Sequence, residues 1–444
     1  MKISSTIIVL PTLLLTFSLG LKAQTGDAPQ IKYRRSSLDI ILIESEDFPH
    51  KETVIKADKE VPFPDKYNQH IIDAEPFDQQ RYSLTEDEKA ASKKKSGFMA
   101  NMEMDLVSNV TSTNIDRSGP YMPLMIDKYN KSNKTANKLV AKWFNRQVDG
   151  SFDMKLVGER GQYNASEMEA NIAKGTVRGV ASLADAGEEL IGNTFVVYSK
   201  LQFIPNEIVA AAVREAGKTK VSKLPAFLQG GAYKALDVAY EKGKEGYSVW
   251  TTSYLYKLRW NDSVAAVFYK DYWMDKNSID IKRKAAFDNS DLFQLEYVGS
   301  AKSSTLVTFK LAKRTEDQII ELATVRNEEE VFAKLQRTYD VFKPKTPLYS
   351  GEPITAKIGM KEGLKGGEKF EVLEQTVDPK TGLTEYKRKG TITVDKDQIW
   401  DNRFAAGEEV EGDATNISAK TPVDRTLFKG GNKFYAGMLI KQIK

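Results

Sequence analysis

The segment Lys343-Pro344-Lys345-Thr346-Pro347 divides this chain into two kinds of sequence, and it constrains the fold more than any other feature. Before it, apolar residues recur at helical spacing between β-rich runs. After it, the periodic stretches alternate in twos and the breaks fall at glycine and proline. Proline lacks an N–H and fixes φ, so Pro344 and Pro347 interrupt both a helix and a central strand. The expected fold class is therefore α+β: a mixed helix and antiparallel-sheet body over 83–342, a linker over 343–347, and a small all-β domain, barrel or sandwich, over 348–444. Residues 24–82 read as an extended arm, punctuated by Pro49, Pro62, Pro64 and Pro76, with one strand at Leu38–Ile43.

Within the body, Ser83 and Glu86 suggest a capping box for a helix reaching towards Val110. Ala136, Leu139, Val140, Trp143 and Phe144 fall at i, i+3, i+4, i+7 and i+8, the spacing of one buried helical stripe. A helix from Asn164 towards Leu190 precedes a β-rich run at Thr194–Phe203. Helices are expected over Asn206–Ala216, Pro225–Lys242, Ser263–Met274 and Glu316–Phe342. A long strand is expected over Tyr247–Trp260, with two paired strands at Phe293–Val298 and Leu306–Leu311. In the tail, Lys369–Gln375 and Thr384–Val394 read as a hairpin closed by the turn Asp378–Gly382.

Lys2, the apolar stretch Ile7–Leu21 and the small residue Ala23 before Gln24 have the form of a cleavable secretory signal peptide, 1–23. The expected mature chain is exported, to the periplasm or the outer membrane. It has no transmembrane segment, since no later run approaches about 20 apolar residues. There are no cysteines, which removes disulfides, thiolate metal sites and lipidation at the cleavage point. The leader would take Lys2 and Lys22 from 65 basic residues, leaving 63 against 61 acidic, a balance that gives no reason to expect nucleic acid or anionic lipid as partner.

Ile358-Gly359, Gly363, Gly366-Gly367, Phe370, Val372, Gly390-Thr391-Ile392 and Val394 together resemble the small C-terminal β-domain of envelope proteins such as flagellar assembly protein T. That resemblance implies a structural or protein-docking module in which glycines turn the chain between short strands. In leader and composition the chain also resembles the large uncharacterised secreted and periplasmic proteins of Bacteroidetes, a likeness that implies no activity.

Histidine chemistry is nearly excluded, because His50 and His70 are the only two and both lie in the arm, where they read as ordinary surface residues. A Ser-His-Asp triad or an H-E-x-x-H zinc site in the body has no imidazole to use. Gly217-Lys218-Thr219 lacks the earlier glycine of a phosphate loop and reads as a helix end. No cofactor or metal site is expected.

Carboxylate pairs remain open for glycoside hydrolysis, with Glu188-Glu189 and Asp271 with Asp275 the first to inspect. If Tyr247–Trp260 is one strand, Trp250, Tyr254, Tyr256 and Trp260 share a face with Leu258. The first reading of that face is core, packed by Val264, Val267, Phe268 and Trp273. The second is a ligand or partner surface on which sugars could stack. The expected function is a non-enzymatic scaffold that docks other envelope proteins. The alternative is a secreted polysaccharide-binding protein or carboxylate-dependent glycoside hydrolase.

Overall fold

In the computed structural model of this chain, the residues described are 33–44, 47–93, 119–163, 190–244, 247–307, 315–378, 384–406 and 423–443. The first half runs β1 (Ser37–Glu44), α1 (Lys51–Glu60), the two-residue strands β2 (Asn68–Gln69) and β3 (Phe77–Asp78), α2 (Glu86–Lys93), α3 (Met122–Ser132), α4 (Thr135–Trp143) and α5 (Lys155–Tyr163). It continues through β4 (Thr194–Pro205), α6 (Asn206–Val221), α7 (Ala226–Gly243), β5 (Tyr247–Leu258), α8 (Asp262–Val267) with a π-helical turn over Phe268–Tyr272, α9 (Ile281–Asn289), β6 (Leu295–Val307) and α10 (Glu316–Thr338).

The body sheet has the order β2-β1-β4-β5-β6, with β3 also pairing to β1. β1 runs parallel to β4, from Ser37 opposite Thr194 to Ile43 opposite Lys200, whereas β5 pairs antiparallel with both β4 and β6. Helices cover both faces. On one side Val196, Tyr198, Tyr254, Tyr256 and Leu258 pack with Met125, Leu139, Trp143, Phe144 and Phe268. On the other, Leu38, Phe195, Val197 and Leu255 meet Val331, Leu335 and Phe342, and Leu201, Phe203 and Val249 meet Val54 and Ile320. Double coverage explains why Thr194–Leu201 is a continuous buried run rather than an alternating one. Each such aliphatic or aromatic side chain contributes about 1.5–3 kcal/mol by leaving water. Buried polar groups find partners inside: Asn327 Nδ2 donates to Thr251 Oγ1 at 2.7 Å, and Trp143 Nε1 donates to Thr194 Oγ1 at 2.8 Å.

After the 3₁₀ turn Asp340–Phe342 come β7 (Thr346–Gly351), β8 (Ile354–Ala356), β9 (Lys369–Val377), β10 (Thr384–Val394), β11 (Thr426–Lys429) and β12 (Leu439–Gln442). They close into an antiparallel six-stranded barrel in the order β10-β11-β8-β7-β12-β9. Closure leaves no unpaired edge. Ile358, Phe370, Val372, Ile392 and Val394 fill its core, and Gly363, Gly366 and Gly367 hold the positive φ values that make the β8–β9 connection. The barrel leans on α10, where Arg337 Nη1 donates to Gly363 O at 2.9 Å and Lys361 Nζ lies 3.5 Å from Glu329.

Several local expectations change. The arm carries the helix α1 and two short strands besides β1, and Tyr67, His70 and Phe77 from it are buried. His70 is therefore not a surface residue: Nε2 donates to Leu139 O at 3.0 Å and Nδ1 accepts from Arg160 Nη1 at 2.9 Å. The capping box of α2 is Thr85 with Glu88, two positions later than expected. The two strands expected after residue 293 are one, because Gly299 bulges and the following serines pair with β5 instead of turning. Gly217 does not end α6, which runs on to Val221. A Cβ there would sit 2.6 Å from Leu236, so the glycine admits the neighbouring helix. The leader and most of the expected helix 164–190 lie outside the described residues.

Candidate functional site

The aromatic face predicted on β5 forms as a face, and it is interior. Tyr254 and Tyr256 are buried, and Tyr256 packs edge-on to Tyr198 with ring centroids 5.4 Å apart. Trp260 is half-buried between Phe144, Phe268 and Phe293. Trp250 is half-buried with its indole N–H enclosed and unpartnered. Helix α8 supplies Val264 to this cluster and the π-helical turn after it supplies Phe268, with Trp273 packed against them, whereas Val267 is not part of it. With Tyr254 and Tyr256 consumed by packing, no sugar-stacking platform stands there.

Of the carboxylates singled out from sequence, only Asp271 and Asp275 fall among the described residues. Glu188 and Glu189 lie outside the described residues. Asp271 and Asp275 are exposed, and Asp275 caps a turn by accepting from Asn277 N at 2.8 Å and Ser278 Oγ at 3.0 Å.

A carboxyl pair is assembled elsewhere. α1 and α10 pack side by side over the second face of the sheet, bringing Asp58 and Glu328 into hydrogen-bond contact. They border a cleft of about 310 Å³ between α1, α10 and the barrel. Its walls are apolar, formed by Ile40, Leu42, Val61, Pro62, Phe63 and Phe332. Glu328 is only 5% exposed, and its Oε1 has no hydrogen-bond partner. Burial, followed by the neighbouring Asp58 charge, holds the Glu328 carboxyl well above the usual range, so it carries the proton it donates to Asp58. Burial raises Asp58 as well, against the lowering effect of that hydrogen bond.

Other acids at the cleft are already matched by lysines. Glu329 has Lys361 at 3.5 Å and accepts from Phe404 N at 3.1 Å. Asp65 has Lys66 at 3.0 Å, and Glu362 lies 4.0 Å from the same ammonium. Sequence reasoning could not find Asp58 and Glu328, since each sits among ordinary helix-surface charges and only the packing of α1 on α10 joins them.

A second feature is the helical hairpin α6–α7, which connects β4 to β5. It is braced internally by Leu236 against Gly217 and by Arg214 to Asp237 at 2.6 Å. Yet α7 has no buried residue. Phe227 is 83% exposed, Leu228 48% and Leu224 42%, all at the tip. Between Glu215 and Asp237 the sequence has Lys218, Lys220, Lys223 and Lys234 and no acid. Lys220, Lys223 and Lys234 are exposed, while Lys218 pairs with Glu215 at 2.7 Å.

Among the described residues, no helix is long and apolar enough to cross a membrane, and no group of three or more histidines or acids is placed to hold a metal ion. No protein-family model and no curated protein matches the chain.

Proposed function

We propose that this is an exported, non-enzymatic envelope protein that docks at a membrane surface, with the α6–α7 hairpin as its contact and the barrel as a structural module beside it. The hairpin tip carries the reading: exposed Phe227, Leu228 and Leu224 in a segment that holds four lysines and no acid. Apolar side chains below a ring of ammonium groups suit the boundary between headgroups and acyl chains of an anionic phospholipid bilayer. Each exposed lysine near such a surface contributes about 1 kcal/mol, and seating Phe227 and Leu228 adds up to about 1.5–3 kcal/mol each. The near-neutral charge of the whole chain does not oppose this, because the stretch between Glu215 and Asp237 holds four lysines and no acid. Export is supported by the leader-like residues Lys2 to Ala23.

The test is flotation of the mature chain with vesicles of phosphatidylcholine, with and without phosphatidylglycerol. Binding should need the anionic lipid, fall as salt rises, and be lost in Phe227→Glu, a change at an exposed position that leaves the core intact. No flotation on anionic vesicles, or equal flotation of the variant, overturns the reading.

A further inference from the structure

The Asp58–Glu328 pair has an unusual electrostatic position. Five acids line the cleft, and lysines 66 and 361 serve Asp65, Glu362 and Glu329. Lys59, beside Asp58 in sequence, is exposed, and among the described residues it forms no ion pair with either member. Two carboxyls, walled by Phe63, Phe332, Val61 and Pro62, are thus balanced by one shared proton and, on the Asp58 side, by the charge of the exposed Lys59, with no cation among the described residues bound directly to either. A buried carboxyl oxygen without a donor is costly, and Glu328, whose Oε1 is such an atom, lines this open cleft.

We infer that this cleft is a binding site for a small organic cation, a primary ammonium or guanidinium on an apolar stem, whose N–H groups replace the shared proton between Asp58 and Glu328 and satisfy Glu328 Oε1. The stem would lie along Phe63 and Phe332. A cleft of about 310 Å³ holds a group the size of an amino-acid side chain. The cation could belong to a free amine or to a lysine or arginine side chain of a partner protein; the recognition chemistry is the same. Binding would release about one proton, because the pair cannot keep it beside a full positive charge. Affinity should therefore rise with pH. The other charges facing the pair are Lys59 on α1, Asp65 and Lys66 after it, Glu329 on α10, and Lys361 and Glu362 from the barrel.

The inference is independent of the hairpin and of the vesicle experiment. The test is titration calorimetry of the full mature chain with n-butylammonium, n-butylguanidinium and n-butanol, repeated in buffers of different ionisation enthalpy. Saturable binding of at least one cation, release of about one proton and no saturable binding of butanol are expected. A lysine-containing tripeptide with blocked termini forms a further arm: binding by the tripeptide alone among the amines assigns the site to a partner's side chain, and binding by the free amine assigns it to a small molecule.

Glu328→Gln keeps a donor to Asp58 and removes the charge, and should weaken cation binding about tenfold or more while abolishing proton release. Asp58→Asn should do the same, so misfolding of one variant leaves the other to decide. The inference is overturned if neither the free cations nor the tripeptide bind saturably, if butanol binds as well as they do, or if both folded variants bind like the wild type.

Discussion

Replacing Asp39 by asparagine should stabilise the protein at pH 8 and not at pH 4. Asp39 lies in β1, 1% exposed, where its carboxyl accepts from Ile40 N at 3.0 Å and Ile72 N at 3.4 Å. Burial dominates these bonds and the attraction of Lys142, with a small further rise from Asp73, and pushes its pKa up from 3.8 to about 7. The folded chain thus holds a proton that the unfolded chain releases between these two values. Stability is fully present below about pH 4 and falls as pH rises to 7. At about 1.36 kcal/mol per unit, the loss comes to roughly 4 kcal/mol. Asparagine carries no charge to desolvate. Its Oδ1 keeps the shorter bond to Ile40, while its Nδ2 opposes the Ile72 N–H and forfeits the longer one, costing about 1 kcal/mol. The variant should gain roughly 3 kcal/mol near pH 8 and lose about 1 kcal/mol near pH 4. Urea unfolding of both proteins, followed by tryptophan fluorescence across that range, measures the difference directly. A difference that does not vary with pH, or a variant less stable at pH 8, would refute the assignment of Asp39 as a buried neutral acid.

Phe144→Ala removes a fully buried ring stacked 4.5 Å from Phe268, and should lower stability by about 3–5 kcal/mol in chemical denaturation. Gly363→Ala puts a Cβ at φ +79°, against the Arg337 guanidinium. It should cost about 1–2 kcal/mol and loosen the barrel from α10, seen as faster amide exchange at the α10 C-terminus. Limited proteolysis should cut near Lys343 or Lys345, and the piece from Thr346 to Lys444 should give a β-type circular dichroism spectrum and melt cooperatively, with Trp400 as probe, because all six barrel strands lie within it.

What could be read from the sequence was what short-range spacing determines. The Ala136–Phe144 stripe is buried, the β9–β10 hairpin pairs across the expected turn, and the aromatic face of β5 has the alternation expected of it. Partners brought from a distance were not legible. Nothing near Leu38–Ile43 says that this strand lies parallel to β4, and nothing near Thr251 says that Asn327 of α10 bonds to it. Asp58 and Glu328 are likewise ordinary charged helix residues until two helices meet. Whole-chain charge, 65 basic against 61 acidic residues, also averages over local segments and does not reveal that the stretch between Glu215 and Asp237 has four lysines and no acid.

The parallel pairing of β1 with β4 sets the order in which the chain can be completed. Strand β1 emerges first from any directional synthesis or threading, yet its sheet neighbour starts at Thr194 and the helix that seals its second face starts at Glu316. Even Tyr33 packs on Leu373 and Leu439 of the barrel. An N-terminal portion released alone has no native surface on which to settle, so closure of such distant pairs is slow and late.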